Sequence, residues 1–270
     1  MVQVWNIAKY SFTLLLIAGL LFSSGVFSVL LYAKITGKDV EWFSPPHVEA
    51  QPNEIVTPTP EPPAPTPTPE PVKPASAMLD APVVKQLPEL PSGCEITSLT
   101  MLLNYYGVAK TKMELVPEMK KDPTAIAYKD NRISYWGNPN VGFVGEVTGK
   151  GKGFGIYHGP LMELLQAYVP TAVDMTGGTF DALERQVAAG IPAVVWTTID
   201  YKVPTEWVEW NTASGPVVTT FMEHAVLLVG YDETNVYVND PLSGRKNMPL
   251  NKAAFIQVWE VMGKQALSYK

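Results

Sequence analysis

Cysteine and histidine are nearly missing from this chain of 270 residues: there is one cysteine, Cys94, and three histidines, His47, His158 and His224. A single thiol excludes an intramolecular disulfide, and so few nitrogen and sulfur donors leave no metal-ligand cluster readable from spacing. No metal and no cofactor are expected. Basic residues are also in deficit, 20 Lys and Arg against 26 Asp and Glu, which argues against nucleic acid as a partner. A P-loop of the Gly-x-x-x-x-Gly-Lys-Ser/Thr type is absent as well. The glycine-rich "TGKGKGFG" at 148–155 has no Lys-Ser/Thr after it and reads as a loop. If that loop borders an active site, it would act as a lid or a substrate-binding edge.

Charge is absent from residues 10–33, an almost unbroken apolar run between Lys9 and Lys34. As a helix rising about 1.5 Å per residue it reaches roughly 36 Å, enough to cross a hydrocarbon core about 30 Å thick. The run is longer than the apolar part of a typical cleaved signal and lacks an Ala-x-Ala ending, so residues 1–43 are expected to hold an uncleaved signal anchor. An anchor and a cleaved signal would both send the remainder out of the cytoplasm. Lipoprotein attachment is excluded, because it needs a cysteine directly after the apolar run. Residues 44–77 change to Pro, Thr, Glu and Val. Proline at that density removes backbone donors and favours extended polyproline conformations, so the segment reads as an extracellular stalk spanning up to about 105 Å. His47 falls there and is given no catalytic duty.

Residues 78–270 are long enough for one domain with its own core, and carry 16 Lys and Arg against 20 Asp and Glu. Within them Ile96, Leu99, Leu102, Leu103 and Tyr106 fall at helical spacing, with Gly107 placed to end the helix. Cys94 therefore stands at the first turn. A second short helix is expected over 113–120, limited by Pro117. "HGPLMELLQAY" and "TFDALERQVAAG" read as helices, the second capped by Thr179. "IPAVVWTT", "HAVLLVGYD" and "NVYVND" are short and β-rich, and "LNKAAFIQVWEVM" reads as a late helix. Helices followed by antiparallel strands predict an α+β domain.

A turn near Asp232–Thr234 folds the last two of those strands into a hairpin, bringing His224 and Asp240 within about two positions of facing each other. Diagonal neighbours of that kind lie roughly 7–8 Å apart at Cα, a gap two side chains can bridge. A thiol, a histidine to take its proton and a polar group to hold the histidine are what cysteine nucleophiles require. The helix N-terminus and an imidazolium would both favour the thiolate, lowering the Cys94 pKa below its free value of about 8.5. Asn239 competes with Asp240 for the orienting role, but strand alternation turns the two to opposite faces, and Asp240 is preferred. Glu223 reads as a solvated or cleft-edge charge, and His158 as a helix-start residue near Pro160. Trp196, Tyr201, Trp207 and Trp210 would either grip a ligand or pack a core.

Gln86, Gly93-Cys94-Glu95, "GNPNVGFVG" at 137–145, "GFGIYHGP" at 153–160, "HAVLLVGYD" at 224–232 and "VNDP" at 238–241 together resemble the stand-alone extracellular relatives of the bacteriocin-processing, double-glycine-leader cysteine peptidases. The resemblance covers nearly all of residues 82–268. It implies a papain-like fold in a bacterial cell-surface protein, with Cys94 as nucleophile, His224 as base, Asp240 orienting it and Gln86 as an oxyanion-hole donor. Gly93, Glu95, Phe143, Tyr157, His158 and Glu223 are the cleft candidates. Gly-Cys-Glu stands where transporter-fused leader peptidases usually carry Asp-Cys-Gly, and the spacing from Gln86 to Cys94 is longer than theirs. Leader cleavage coupled to export is therefore not implied. The expected partners are a peptide or protein substrate, the membrane through the anchor, and a cell-wall polymer. Acyl transfer or deamidation would use the same residues, and a surface module that binds without cutting is the alternative from another class.

Overall fold

The computed structural model describes residues 73–270, together with Leu20. The expected anchor over 10–33, apart from Leu20, and nearly all of the stalk lie outside the described residues. Among the described residues no helix is long and apolar enough to cross a membrane. Residues just before 78 contact the fold: Tyr231 Oη donates to the Pro74 carbonyl at 2.8 Å, and Lys73 pairs with Asp181 and Glu184.

The first helix, α1 (Cys94–Tyr106), is buried at every position from Cys94 to Leu103. Burial on every side places it inside the core rather than on its surface, polar Glu95, Thr97, Ser98 and Thr100 included. Gly107 ends it in the left-handed conformation, φ 103°, where a side chain would be strained. The second, α2 (Lys112–Leu115), is only one turn. Thr111 and Glu114 form a capping box at its start, and Pro117 stops the longer helix expected over 113–120 because proline offers no amide to continue it. The remaining helices, α3 (His158–Tyr168), α4 (Phe180–Ala188) and α5 (Lys252–Val261), fall where the sequence predicts them. Thr179 caps α4 through the Ala182 amide, and Asn251 caps α5 through the Ala254 amide.

Seven strands make the main sheet: β1 (Ala77–Met78), β2 (Ala172–Asp174), β3 (Ala193–Thr198), β4 (Glu223–Tyr231), β5 (Asn235–Asp240), β6 (Arg245–Asn251) and β7 (Ala266–Tyr269). Their order is β6-β5-β4-β3-β7-β2, all antiparallel, with β1 added beside the far end of β4. Every residue of β3 and β4 is buried, which is why both read as continuous apolar runs. Helix α1 packs on β4 and β3, and Ser98 Oγ donates to the Ala225 carbonyl at 3.0 Å. That bond fixes the helix carrying Cys94 against the strand carrying His224.

Two small sheets flank this core and were not legible as strands. One pairs Lys121–Asp122 with Phe143–Val144, and the other joins Ala127–Lys129, Arg132–Tyr135, Val208–Thr212 and Gly215–Thr219. Beneath them Trp136, Val144, Phe154, Trp210 and Val217 form a second apolar cluster. Phe154 meets Trp210 edge-on at 5.2 Å and Phe221 at 5.9 Å. These contacts bring both phenylalanines to the wall of a cleft.

Candidate active site

The cleft, of about 110 Å³, is lined by Gln86, Cys94, Phe154, Phe221, Glu223 and His224 among others. The element that sets its geometry is the β4–β5 hairpin. Leu227 faces Asn239 and Leu228 faces Val238, so Asp240 lies two positions from the residue opposite His224, as its sequence spacing predicts. His224 Nε2 donates to Asp240 Oδ1 at 2.8 Å, and both side chains are buried. With Nε2 committed to the carboxylate, Nδ1 is the ring nitrogen left to exchange a proton.

Asp240 is held more tightly than sequence reasoning foresaw. Ser243 Oγ donates to its Oδ2 at 2.5 Å, and the Leu242 amide donates to Oδ1 at 2.9 Å. Burial pushes its pKa up, but the bonds from His224, Ser243 and Leu242 prevail and hold it well below the usual carboxylate range. The signal for Ser243 was its position in the turn after Asp240-Pro241. Tyr201 stands edge-on to the His224 ring at 6.4 Å. Asn239 points elsewhere: its Nδ2 donates to the Ala81 and Pro82 carbonyls, each at 3.0 Å, and its Oδ1 accepts from the Asn247 amide. Asn239 anchors the segment before α1, and Asp240 holds the histidine.

Gln86 is buried beside the cleft. Its amide donates to the Pro241 carbonyl at 2.9 Å, and Lys112 Nζ donates to its carbonyl at 2.8 Å. The side chain donates to the Pro91 carbonyl at 3.1 Å, which leaves one proton on Nε2, while Oε1 has no partner among the described residues. Gly93 caps α1 with its backbone. Its carbonyl accepts from the Thr97 amide at 3.1 Å and from Thr97 Oγ1 at 2.6 Å, and a Cβ there would meet Leu90 at 2.6 Å.

Cys94 lies at the first turn of α1 and is buried to 6% exposure. Its surroundings overturn the expected low pKa. Burial and then the neighbouring Glu95 and Glu223 push the thiol well above its ordinary value. The helix terminus is outweighed because the thiol faces two carboxyl groups rather than open water. Cys94 Sγ donates to Glu95 Oε2 at 3.2 Å, and Glu95 Oε1 accepts from the Ile156 amide at 2.7 Å. Burial raises Glu95 to about 7, and burial together with Glu95 raises Glu223 well above the carboxylate range.

Of the two readings of Glu223, solvated or cleft-edge, the structure places it at the cleft edge and not in solvent, since the start of β4 is covered on both faces. Sequence spacing shows no metal-ligand cluster, yet among the described residues Cys94, Glu95 and Glu223 each present a ligand-type atom within 4.8 Å of the others. Sequence spacing could not show this, because strand pairing brings residue 223 beside residues 94 and 95.

Three cleft candidates are placed elsewhere. Phe143 is 1% exposed in the main core, where its strand pairs with Lys121. Tyr157 and His158 line a separate cavity of about 260 Å³ with Trp207 and Gln265. His158 Nδ1 lies 2.6 Å from Asp174 Oδ2, and Tyr157 Oη lies 2.8 Å from Thr219 Oγ1. Of the aromatic group, Trp196 and Trp210 are buried core residues, while Trp207 is exposed. The glycine-rich loop is closed by the bridge between Gly145 and Gly153, and Gly153 and Phe154 border the Cys94 cleft. It thus forms an edge of the site.

The match to known proteins extends over this whole arrangement. The model of the Peptidase_C39 like family matches residues 78–267. The uncharacterized protein YvpB of Bacillus subtilis is 36% identical over 199 residues, 73% of this chain and 77% of that protein. A crystal structure from Bacillus anthracis, described as a proposed C39-like peptidase, is 41% identical with a TM-score of 0.65 and covers 72% of this chain and 97% of its own. With its α+β architecture and a match spanning most of the described residues, the chain belongs to the Peptidase_C39 like family.

Proposed function

We propose that the domain is a thiol peptidase of papain-like type in which Cys94 is the nucleophile, His224 the base, Asp240 its orienting partner and Gln86 an oxyanion donor. The observation that carries this reading is the buried 2.8 Å bond between His224 and Asp240 on the wall of the cleft that Cys94 and Gln86 also line. Asp240, kept ionised, fixes the His224 tautomer with its proton on Nε2, so Nδ1 acts as the base. The resting thiol is protonated, so the reaction begins with general-base removal of its proton as the carbonyl is attacked, not from a standing thiolate. The tetrahedral oxyanion is received by the free proton of Gln86 Nε2 and the Cys94 amide at the open end of α1. His224 then returns the proton to the leaving amine, and water releases the acyl group.

Residues 10–33 would hold this domain at the outer face of a bacterial membrane, with the proline-rich segment as spacer. The substrate is then an extracytoplasmic peptide or protein. Screening the full chain against a mixed peptide library tests the reading. Cys94→Ala is expected to abolish cleavage while keeping the native circular dichroism spectrum. Cleavage that persists in this variant would refute the nucleophile, and product-free binding of peptides by the native chain would favour a binding module.

A further inference from the structure

Glu223 has no duty in the mechanism above, yet it is a costly residue to place where it stands. It is 6% exposed, and among the described residues its Oε1 has no hydrogen-bond partner. A buried carboxyl without a partner is destabilising, and a nearby second carboxyl compounds the cost if either ionises. Its carboxylate oxygen, Cys94 Sγ and an oxygen of Glu95 lie within 4.8 Å of one another. Glu95 is oriented for this meeting: the Ile156 amide holds Oε1, which leaves Oε2 turned to the sulfur at 3.2 Å. Glu223, buried and with one oxygen unpartnered among the described residues, thus brings its carboxyl to the reactive sulfur and to a carboxyl already fixed in place.

We infer that Cys94, Glu95 and Glu223 form a binding site for a thiophilic divalent cation of the zinc type, and that a cation held there switches the nucleophile off. One sulfur and two carboxylate donors suit a borderline-soft ion that accepts four-coordinate geometry, with the open cleft supplying the remaining position. Calcium is a poor match, since it takes six to eight oxygens and this pocket offers fewer. A dication relieves the crowding that makes the site unfavourable when both carboxylates ionise. Binding involves no redox change. The Cys94 S–H bond breaks, a sulfur–metal bond forms, and the thiol proton leaves to solvent with any proton held by the carboxyl pair. The sulfur lone pair that would attack a carbonyl is then committed to the metal.

This inference goes beyond the peptidase reading and is measurable without substrate. The full chain, stripped with a chelator, is titrated with CoCl2, and the sulfur-to-cobalt charge-transfer absorbance is followed. ZnCl2 is then added to displace the cobalt, and thermal unfolding is recorded with and without ZnCl2. One equivalent of cobalt is expected to give the band. Cys94→Ala should lose the band, and Glu223→Gln and Glu95→Gln should each weaken binding by at least about tenfold. Zinc should raise the unfolding temperature of the native chain and not of Cys94→Ala. Absence of the band would overturn the site, as would a band indifferent to both glutamine variants, which would place the metal on Cys94 and His224 instead. Neither negative result touches the peptidase reading, whose test is cleavage in chelator.

Discussion

Glu223 lines the cleft and Asp240, on the adjacent strand, bonds the histidine that lines it; both are buried carboxyl groups, and their environments drive them in opposite directions. Asp240 accepts from His224, Ser243 and the Leu242 amide. Among the described residues Glu223 has an oxygen with no donor, and another carboxyl, Glu95, is its neighbour. Burial opposes ionisation in both cases, yet Asp240 is lowered and Glu223 raised. Partners, more than depth, decide the charge of a buried acid. The β5 side of the cleft is therefore a satisfied polar network, and the side formed by the start of β4 and α1 is a frustrated one.

Removing the satisfied carboxylate should do the most damage. Asp240→Ala leaves His224 buried without its partner, with an expected loss of about 3–5 kcal/mol of stability. Loss of tautomer control should lower kcat by roughly 10⁴-fold. Urea unfolding and single-turnover peptide cleavage measure the two effects. If this variant is as stable and active as the native chain, the two sides do not differ as described.

The pH response separates the two sides by sign. Asp240 is lowered from 3.8, so its contribution to stability is present above that value and is lost as pH falls through it toward the folded value. Glu95 is raised from 4.5 to about 7, so its contribution is fully present below 4.5 and is lost as pH rises through that interval. Urea midpoints recorded in chelator should fall at both ends of the range. Asp240→Asn should flatten the acid limb, and Glu95→Gln the neutral one. A native chain that gains stability steadily from pH 4.5 to 7 would contradict the assignment of Glu95.

A milder change is expected on the frustrated side. Glu223→Gln keeps the shape and removes the burden of ionisation, so in chelator it should raise the unfolding temperature above neutral pH by a few degrees, equivalent to about 1 kcal/mol. A large drop would show that Glu223 is a stabilising partner. The smallest effect should be on the thiol. Iodoacetamide should alkylate native Cys94 slowly from pH 5 to 8, because burial and the two glutamates disfavour the thiolate. Glu95→Gln should move the alkylation profile to lower pH. Rapid alkylation of the native chain near pH 5–6 would instead establish a standing thiolate–imidazolium pair.

Several elements were legible because local rules and packing agree. Thr179 and Gly107 marked helix ends through capping chemistry, and the hairpin turn over Asp232–Thr234 set the register that joins His224 to Asp240. Alternation along a strand meant that only one of Asn239 and Asp240 could face the histidine, and the family resemblance favoured Asp240. The small sheets were missed because their strands are short, and the exposed Ala127–Lys129 carries no buried stripe for a periodicity to report. Phe143 and Tyr157 belonged to motifs that run near the site, but motif membership does not say which face a side chain takes.

The sequence by itself determined that one thiol sits at a helix start and one histidine begins a buried strand whose hairpin partner ends in an acid. Those facts depend on the period of helix and strand and on a turn of fixed length, all of which are local. The tertiary structure alone decided the electrostatics of the thiol. The distance from Cys94 to Glu223 depends on how α1 packs against β4, and the desolvation of all three groups depends on what covers them. Charge interactions act through space, so the placement of two carboxyl groups beside Cys94 is invisible until the chain has folded.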